Sequence, residues 1–241
     1  MRSAFRLFIW MSVLAVLVIE LAAWAVRHRQ DLPWAPLDLT LPAGRFTAGR
    51  LAALHDEPQT CRDLLSEVGS TAIAVPVRRD GPTCAYSNGL RLASRDPNTI
   101  PFAPAAPVAS CPVAAGLLLW QRDVVEPAAA RFLGSRVTAV EHAGSYSCRR
   151  LYGRTEGAWS EHARANAFDV LGFRLADGRL ISVLRDWQGD TAKARFLRAV
   201  RDGACTTFTT VLSPDYNAAH RDHLHLDMAN RGGSMGWTAC R

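Results

Sequence analysis

At 241 residues with 49% hydrophobic side chains, the chain has room for one catalytic-sized domain plus an extension and is too apolar to be a disordered tail. Its formal charge of +6 rests almost wholly on arginine, Lys193 being the single lysine, and no basic block interleaved with aromatics is present. That argues against nucleic acid as a partner and leaves either an ordinary mildly basic surface or one suited to anionic lipid or wall polymer.

The first predicted element is apolar. From Leu7 to Val26 only Ser12 and Glu20 interrupt a hydrophobic run. Twenty helical residues cover roughly 30 Å, the hydrocarbon thickness of a bilayer. Arg2 and Arg6 precede it, and Glu20 falls in its outer third, where a charge is least costly. Two readings stay open. Arg27, His28 and Arg29 follow at once, as after an uncleaved anchor, whereas Ala23-Trp24-Ala25 resembles a signal-peptide cleavage site. Residues 1–30 are thus a signal anchor or signal peptide. Residues 31–55, with Pro33, Pro36, Pro42, Gly44 and Gly49, read as a linker, and residues 56–241 as the exported domain. The expected location is a bacterial inner membrane with the domain in the periplasm, or the periplasm itself after cleavage.

Six cysteines agree with export, because all of them follow the apolar run. None forms a CxxC pair, which disfavours a zinc ribbon or a thioredoxin-type motif. Short loops suggest the pairs Cys61–Cys84, Cys111–Cys148 and Cys205–Cys240. Along the domain, Thr71–Val77 reads as a strand interrupted by Pro76, and residues 97–112, with five prolines, as irregular. Helical spacing runs from Cys111 to about Leu133, broken near Pro127. Strands are expected at Ser135–Glu141, Arg179–Trp187, Thr206–Leu212 and Leu224–Met228, and a helix over residues 190–200 capped by Asp190 or Thr191. The fold class is α+β, a small antiparallel sheet flanked by helices and held by disulfides.

Chemistry concentrates near the C-terminus. Three of seven histidines, His220, His223 and His225, lie within six residues beside Asp222. On a strand, His223 and His225 would share one face while Leu224 and Leu226 enter the core. Upstream, Ser160–Asp169 supplies His162 and Asp169 with small Ala163, Ala165 and Ala167 between them. Imidazole and carboxylate are the ligands of a zinc site that keeps one position open for water. The bland alternatives are a surface strand with incidental histidines and a helix cap at Ser160. Trp159, Trp187 and Trp237 suit a buried core better than a cleft wall.

Both segments resemble the LAS-type zinc peptidases, the group of D-Ala-D-Ala metallopeptidases, lysostaphin-type enzymes and hedgehog signalling domains. Their pattern is SxHxxGxAxD followed by HxH. Ser160, His162, Ala167 and Asp169 match the first part, with Ala165 in place of glycine, and His223 and His225 match the second. More closely, the region from about residue 59 onward is similar to the bacterial extensin-like C-terminal family. Cys61-Arg62-Asp63-Leu64-Leu65, Ser145–Arg149 and Pro214-Asp215-Tyr216-Asn217 carry that likeness.

The resemblance implies an LAS-type fold with His162, Asp169 and His225 as zinc ligands. It implies Asp222 as general base, provided Asp222 sits in a loop before the strand; otherwise His220 or His223 takes that role. His223 would orient the reacting groups, His220 would support the site, and Arg149, or Arg150, would hold a substrate carboxylate or the developing oxyanion. The implied activity is hydrolysis of peptidoglycan stem peptides or cross-links, as carboxypeptidase or endopeptidase. A membrane-tethered wall-binding module that keeps zinc without cleaving is the alternative, and a metal-free, disulfide-rich envelope protein is the third.

Overall fold

The computed structural model describes residues 2–92, 99–104, 107–232 and 237–241. Helix α1 (Arg2–Arg27) is continuous because no glycine or proline interrupts it, and Arg27 sits in its last turn, where a cation suits the helix dipole. Its segment Phe5–Arg27, of mean hydropathy 2.3, is long and apolar enough for a membrane anchor or a signal sequence, and none of its apolar window is buried.

The stretch expected as a linker is packed against the domain. Leu39 and Leu51 are fully buried, and helix α2 (Thr47–Ala53) buries everything from Thr47 to Ala52. The irregular backbone before α2 satisfies its polar groups through side chains of the domain. Arg122 donates to the carbonyls of Leu39 and Leu41, both at 2.7 Å, and Asp123 accepts from the Ala43 N–H at 2.9 Å.

Helix α3 (Pro58–Glu67) opens on proline, where the missing N–H is harmless. Short strands follow: β1 (Ile73–Ala74), β2 (Arg78–Arg79), β3 (Ala85–Tyr86), β4 (Gly89–Arg91), β5 (Phe102–Ala103) and β6 (Val108–Ser110). The strand expected over Thr71–Val77 thus shrinks to two exposed residues, since Pro76 cannot donate to a ladder. Strands also cross the proline-rich stretch, of which residues 97, 98, 105 and 106 lie outside the described residues. Helices α4 (Cys111–Trp120) and α5 (Glu126–Leu133) are joined through a π turn, Gln121–Val125. The wider turn accommodates Pro127, which has no N–H for the ladder, so the helical run continues past it.

The remaining elements are β7 (Val137–Gly144), β8 (Ala167–Leu175), β9 (Leu180–Ser182), α6 (Val183–Asp186), α7 (Ala192–Ala204), β10 (Thr210–Leu212), β11 (Leu224–Asp227) and β12 (Ala239–Cys240). The strand expected over Arg179–Trp187 turns helical at Val183, where Asp186 accepts the Ser182 N–H at 2.8 Å and Trp187 enters the core. Helix α7 is capped by Thr191, whose Oγ accepts from the Ala194 N–H at 3.1 Å. The main sheet runs β12-β10-β11-β8-β7-β5, with β9 also on β8. Its centre is antiparallel, as expected, but both edges are parallel, β5 on β7 and β12 on β10.

Three disulfides hold this α+β fold. Cys205–Cys240 is the expected pair, tying the end of α7 to β12. The other two differ from the short-loop expectation. Cys61 on α3 joins Cys111 at the start of α4, and Cys84 joins Cys148. Packing decides here rather than loop length. Both α3 and α4 meet in the core at fully buried cysteines. The hairpin β2–β3 lies on the segment after β7, where Tyr146 donates to Asp80 at 2.8 Å and meets Tyr86 edge-on.

Candidate metal centre

Strand register brings the first two groups together. In the antiparallel pair β8–β11, Asp169 lies opposite His225, Phe168 opposite Leu226 and Val170 opposite Leu224. The four apolar side chains are fully buried, so alternation sends Asp169 and His225 to the other face. His162 arrives from a tight turn, Glu161–Arg164, capped by Ser160, whose Oγ accepts the His162 N–H at 3.3 Å. Ala165 then reverses the chain with φ of +55°. This is the position where the resembled pattern carries glycine, and the backbone does take the left-handed conformation there. Ala163, Ala165 and Ala167 are fully buried, so small side chains let the turn lie directly beneath the site. Asn166 locks it, accepting from Ser110 Oγ at 2.9 Å and donating to Glu161 at 2.7 Å and the Met228 carbonyl at 3.0 Å.

The three groups converge. His162, Asp169 and His225 are buried, and one ligand atom from each lies within 4.8 Å of the others. His162 Nδ1 donates to the Ser145 carbonyl at 2.6 Å, which leaves Nε2 for the centre, 3.1 Å from Asp169 Oδ2. His225 turns Nδ1 inward, 2.9 Å from Asp169 Oδ1 and 3.2 Å from His162 Nε2, while its Nε2 meets Asp227 Oδ2 at 3.0 Å. Burial alone would raise the Asp169 carboxyl, but the bonds from His162 and His225 hold it well below the ordinary range. Burial likewise disfavours charge on His225, yet Asp169 and Asp227 outweigh it and raise it to about 10. Two imidazoles with their outer nitrogens already engaged, plus one carboxylate, form a donor set that fits a metal ion with a position to spare.

The other expected residues fall around this centre. Arg149 Nη2 stands 3.6 Å from Asp169 Oδ2 with its side chain half-exposed. Arg150 is engaged elsewhere, stacked on Trp159 at 4.5 Å and bonded to the Gly157 carbonyl. Asp222 does lie in the turn before β11, but its carboxylate accepts from His223 Nδ1 at 2.9 Å and is half-exposed. It is His223 that lines the cleft, with Nε2 at 3.6 Å from Asp169 Oδ1. His220 gives Nδ1 to Asn217 Oδ1 at 2.8 Å and packs its ring 5.1 Å from that of His223. Burial, then the nearby His225 and His223, push it down to about 4, so it is neutral near pH 7. Of the tryptophans, Trp187 is in the core, whereas Trp159 and Trp237 line the cleft.

Sequence reasoning missed Asp227, buried against His225, and Glu161 at the cleft wall. Asp227 was within reach, because residues 225 and 227 share a strand face at period two. Glu161 carries no comparable signal; its bond to Asn166 exists only in three dimensions.

No curated protein and no solved structure matches the chain. Residues 59–241 match the family described as Extensin-like protein C-terminus, a span that takes in the three converging residues, all three disulfides and every strand. The chain belongs to that family.

Proposed function

We propose that the protein is a zinc-dependent peptidase of the LAS type, acting on peptidoglycan stem peptides or cross-links from the bacterial inner membrane or periplasm. The observation that carries this reading is the buried triad of His162, Asp169 and His225, whose two histidines line a cleft that also presents His223 and Arg149. A zinc ion held by that triad would polarise a scissile carbonyl and lower the pKa of a bound water to about 7.

The chain's own groups divide the remaining work. His223 donates its Nδ1 N–H to the Asp222 carboxylate, which in the neutral ring leaves the Nε2 lone pair toward the cleft. It is therefore the group placed to take a proton from water and return it to the leaving amine. Asp222 acts behind it, fixing the tautomer and stabilising the imidazolium. This changes the division expected from the resemblance, in which Asp222 was the base itself. Arg149, planar and permanently charged, is placed to hold a substrate carboxylate or the oxyanion by two bonds. His220 packs against His223 and His225 and keeps the ring cluster in place.

The test is product analysis. Zinc-loaded full-length protein in detergent, given peptidoglycan stem peptides, should yield fragments heavier in sum by one water, and a His225→Ala variant should yield none. Intact peptides under every zinc condition would overturn the enzyme reading; wall material bound but uncut would point to the binding module.

A further inference from the structure

His225 can serve a metal only if its inner nitrogen, Nδ1, carries the lone pair. A neutral imidazole has one proton, so that proton must sit on Nε2 and needs an acceptor there. The acceptor is Asp227. Its carboxylate is buried, with Oδ2 at 3.0 Å from His225 Nε2 and Oδ1 accepting the Ala229 N–H at 2.9 Å. Behind it stands Thr210, which bonds to Asp227 and accepts from Arg231 through Nε at 3.1 Å and Nη2 at 2.9 Å. Arg231 reaches the cleft wall and lies 4.6 Å over the Trp237 ring. A continuous chain of bonds thus runs from the cleft wall through Thr210 and Asp227 to the outer nitrogen of His225, Nε2.

We propose that Asp227 is a positioning residue that fixes the tautomer and tilt of His225, so that Nδ1 is presented to the metal. This rests on the metal reading above but adds a residue outside the triad and outside the matched motifs. The competing role is structural, since Asp227 also caps the turn after β11 through Ala229.

Asp227→Asn separates the two. An amide that keeps its oxygen on the Ala229 N–H retains the turn but points its NH2 at His225 Nε2. Donor then faces donor, and the ring is driven to carry its proton on Nδ1, the nitrogen the metal needs. An amide flipped the other way satisfies His225 and abandons the turn. The experiment is a Zn2+ titration against a competing chelator on the full chain in detergent, with wild type, Asp227→Asn, Asp227→Ala and Thr210→Val, alongside their melting temperatures. Loss of an outer partner of this kind lowers metal affinity by about 10–100-fold. Asp227→Asn should fall in that range while still unfolding in one cooperative metal-free transition, at a lower temperature because the buried pair with His225 is lost, and Thr210→Val should lose less. Long-range 1H–15N spectra of the zinc-loaded wild type should show His225 protonated at Nε2. Wild-type zinc affinity in Asp227→Asn and in Asp227→Ala, which keeps no acceptor for either partner, or a His225 proton on Nδ1, would overturn the assignment while leaving the metal site standing. A wild-type chain that takes up no zinc would overturn both.

Discussion

His223 and Asp222 are bonded side by side, and on the proposed function they share one task. If His223 moves the proton and Asp222 only orients it, His223→Gln and Asp222→Asn should each lower turnover by about 10²–10⁴-fold with zinc still bound. Groups that act as a unit are not additive, so the double variant should be no slower than the worse single one. Losses that multiply would show two independent roles. Arg149 is the separable partner. Arg149→Lys keeps the charge but not the fork, and should raise KM, lower kcat, or both, without changing metal content. Asp169→Asn should differ in kind, because on this proposal it weakens a ligand, and the metal itself should be lost more readily.

At the scale of elements, the turn that delivers His162 is the strained piece. Ala165 has positive φ and no exposed surface, so two penalties await a larger residue there. Ala165→Val adds a β-branched side chain to a left-handed position and overfills a packed site, and should destabilise the protein by about 2–4 kcal/mol in denaturant unfolding. Ala165→Gly relieves strain but loses a buried methyl and adds unfolded-state freedom, and should change stability by less than about 1 kcal/mol. An unaffected valine variant would show that the turn is not constrained as described.

Elements built on period and caps were legible in the sequence. Helix α7 with Thr191, strand β11 with its leucine and histidine faces, and the apolar α1 all follow from local pattern. What depends on distant packing was not. Cys61 pairs with Cys111 because α3 and α4 meet in the core, and no spacing rule contains that meeting. The convergence of His162, Asp169 and His225 was reached through a matching motif, whereas the bond between Asp222 and His223, adjacent in sequence, needed side-chain direction to be seen.

Over the whole molecule, the boundary of the folded unit lies well before the family match begins. Leu39, Leu51 and Leu54 are buried in the same core as Phe168 and Leu224. Stripping one large aliphatic side chain from a core costs about 2–5 kcal/mol, against a total stability of roughly 5–15 kcal/mol. A chain starting at Arg29 should therefore fold and leave the membrane fraction, while one starting at Gln59 should not fold, as judged by a cooperative thermal transition. A cooperative transition in the shorter chain would show that residues 30–54 merely lie on the surface. Retaining α1 should place the protein in membranes that resist salt extraction if the helix is an anchor; a mature N-terminus near Val26 would identify a signal sequence instead.

Whether His162, Asp169 and His225 hold a metal ion is decided by elemental analysis of the purified full-length chain. The wild type should carry about one zinc per chain and a correctly folded His162→Ala, His225→Ala double variant almost none. A wild-type chain that carries no metal after exposure to zinc, or a double variant that retains it in full, would show that these three residues are not a metal site.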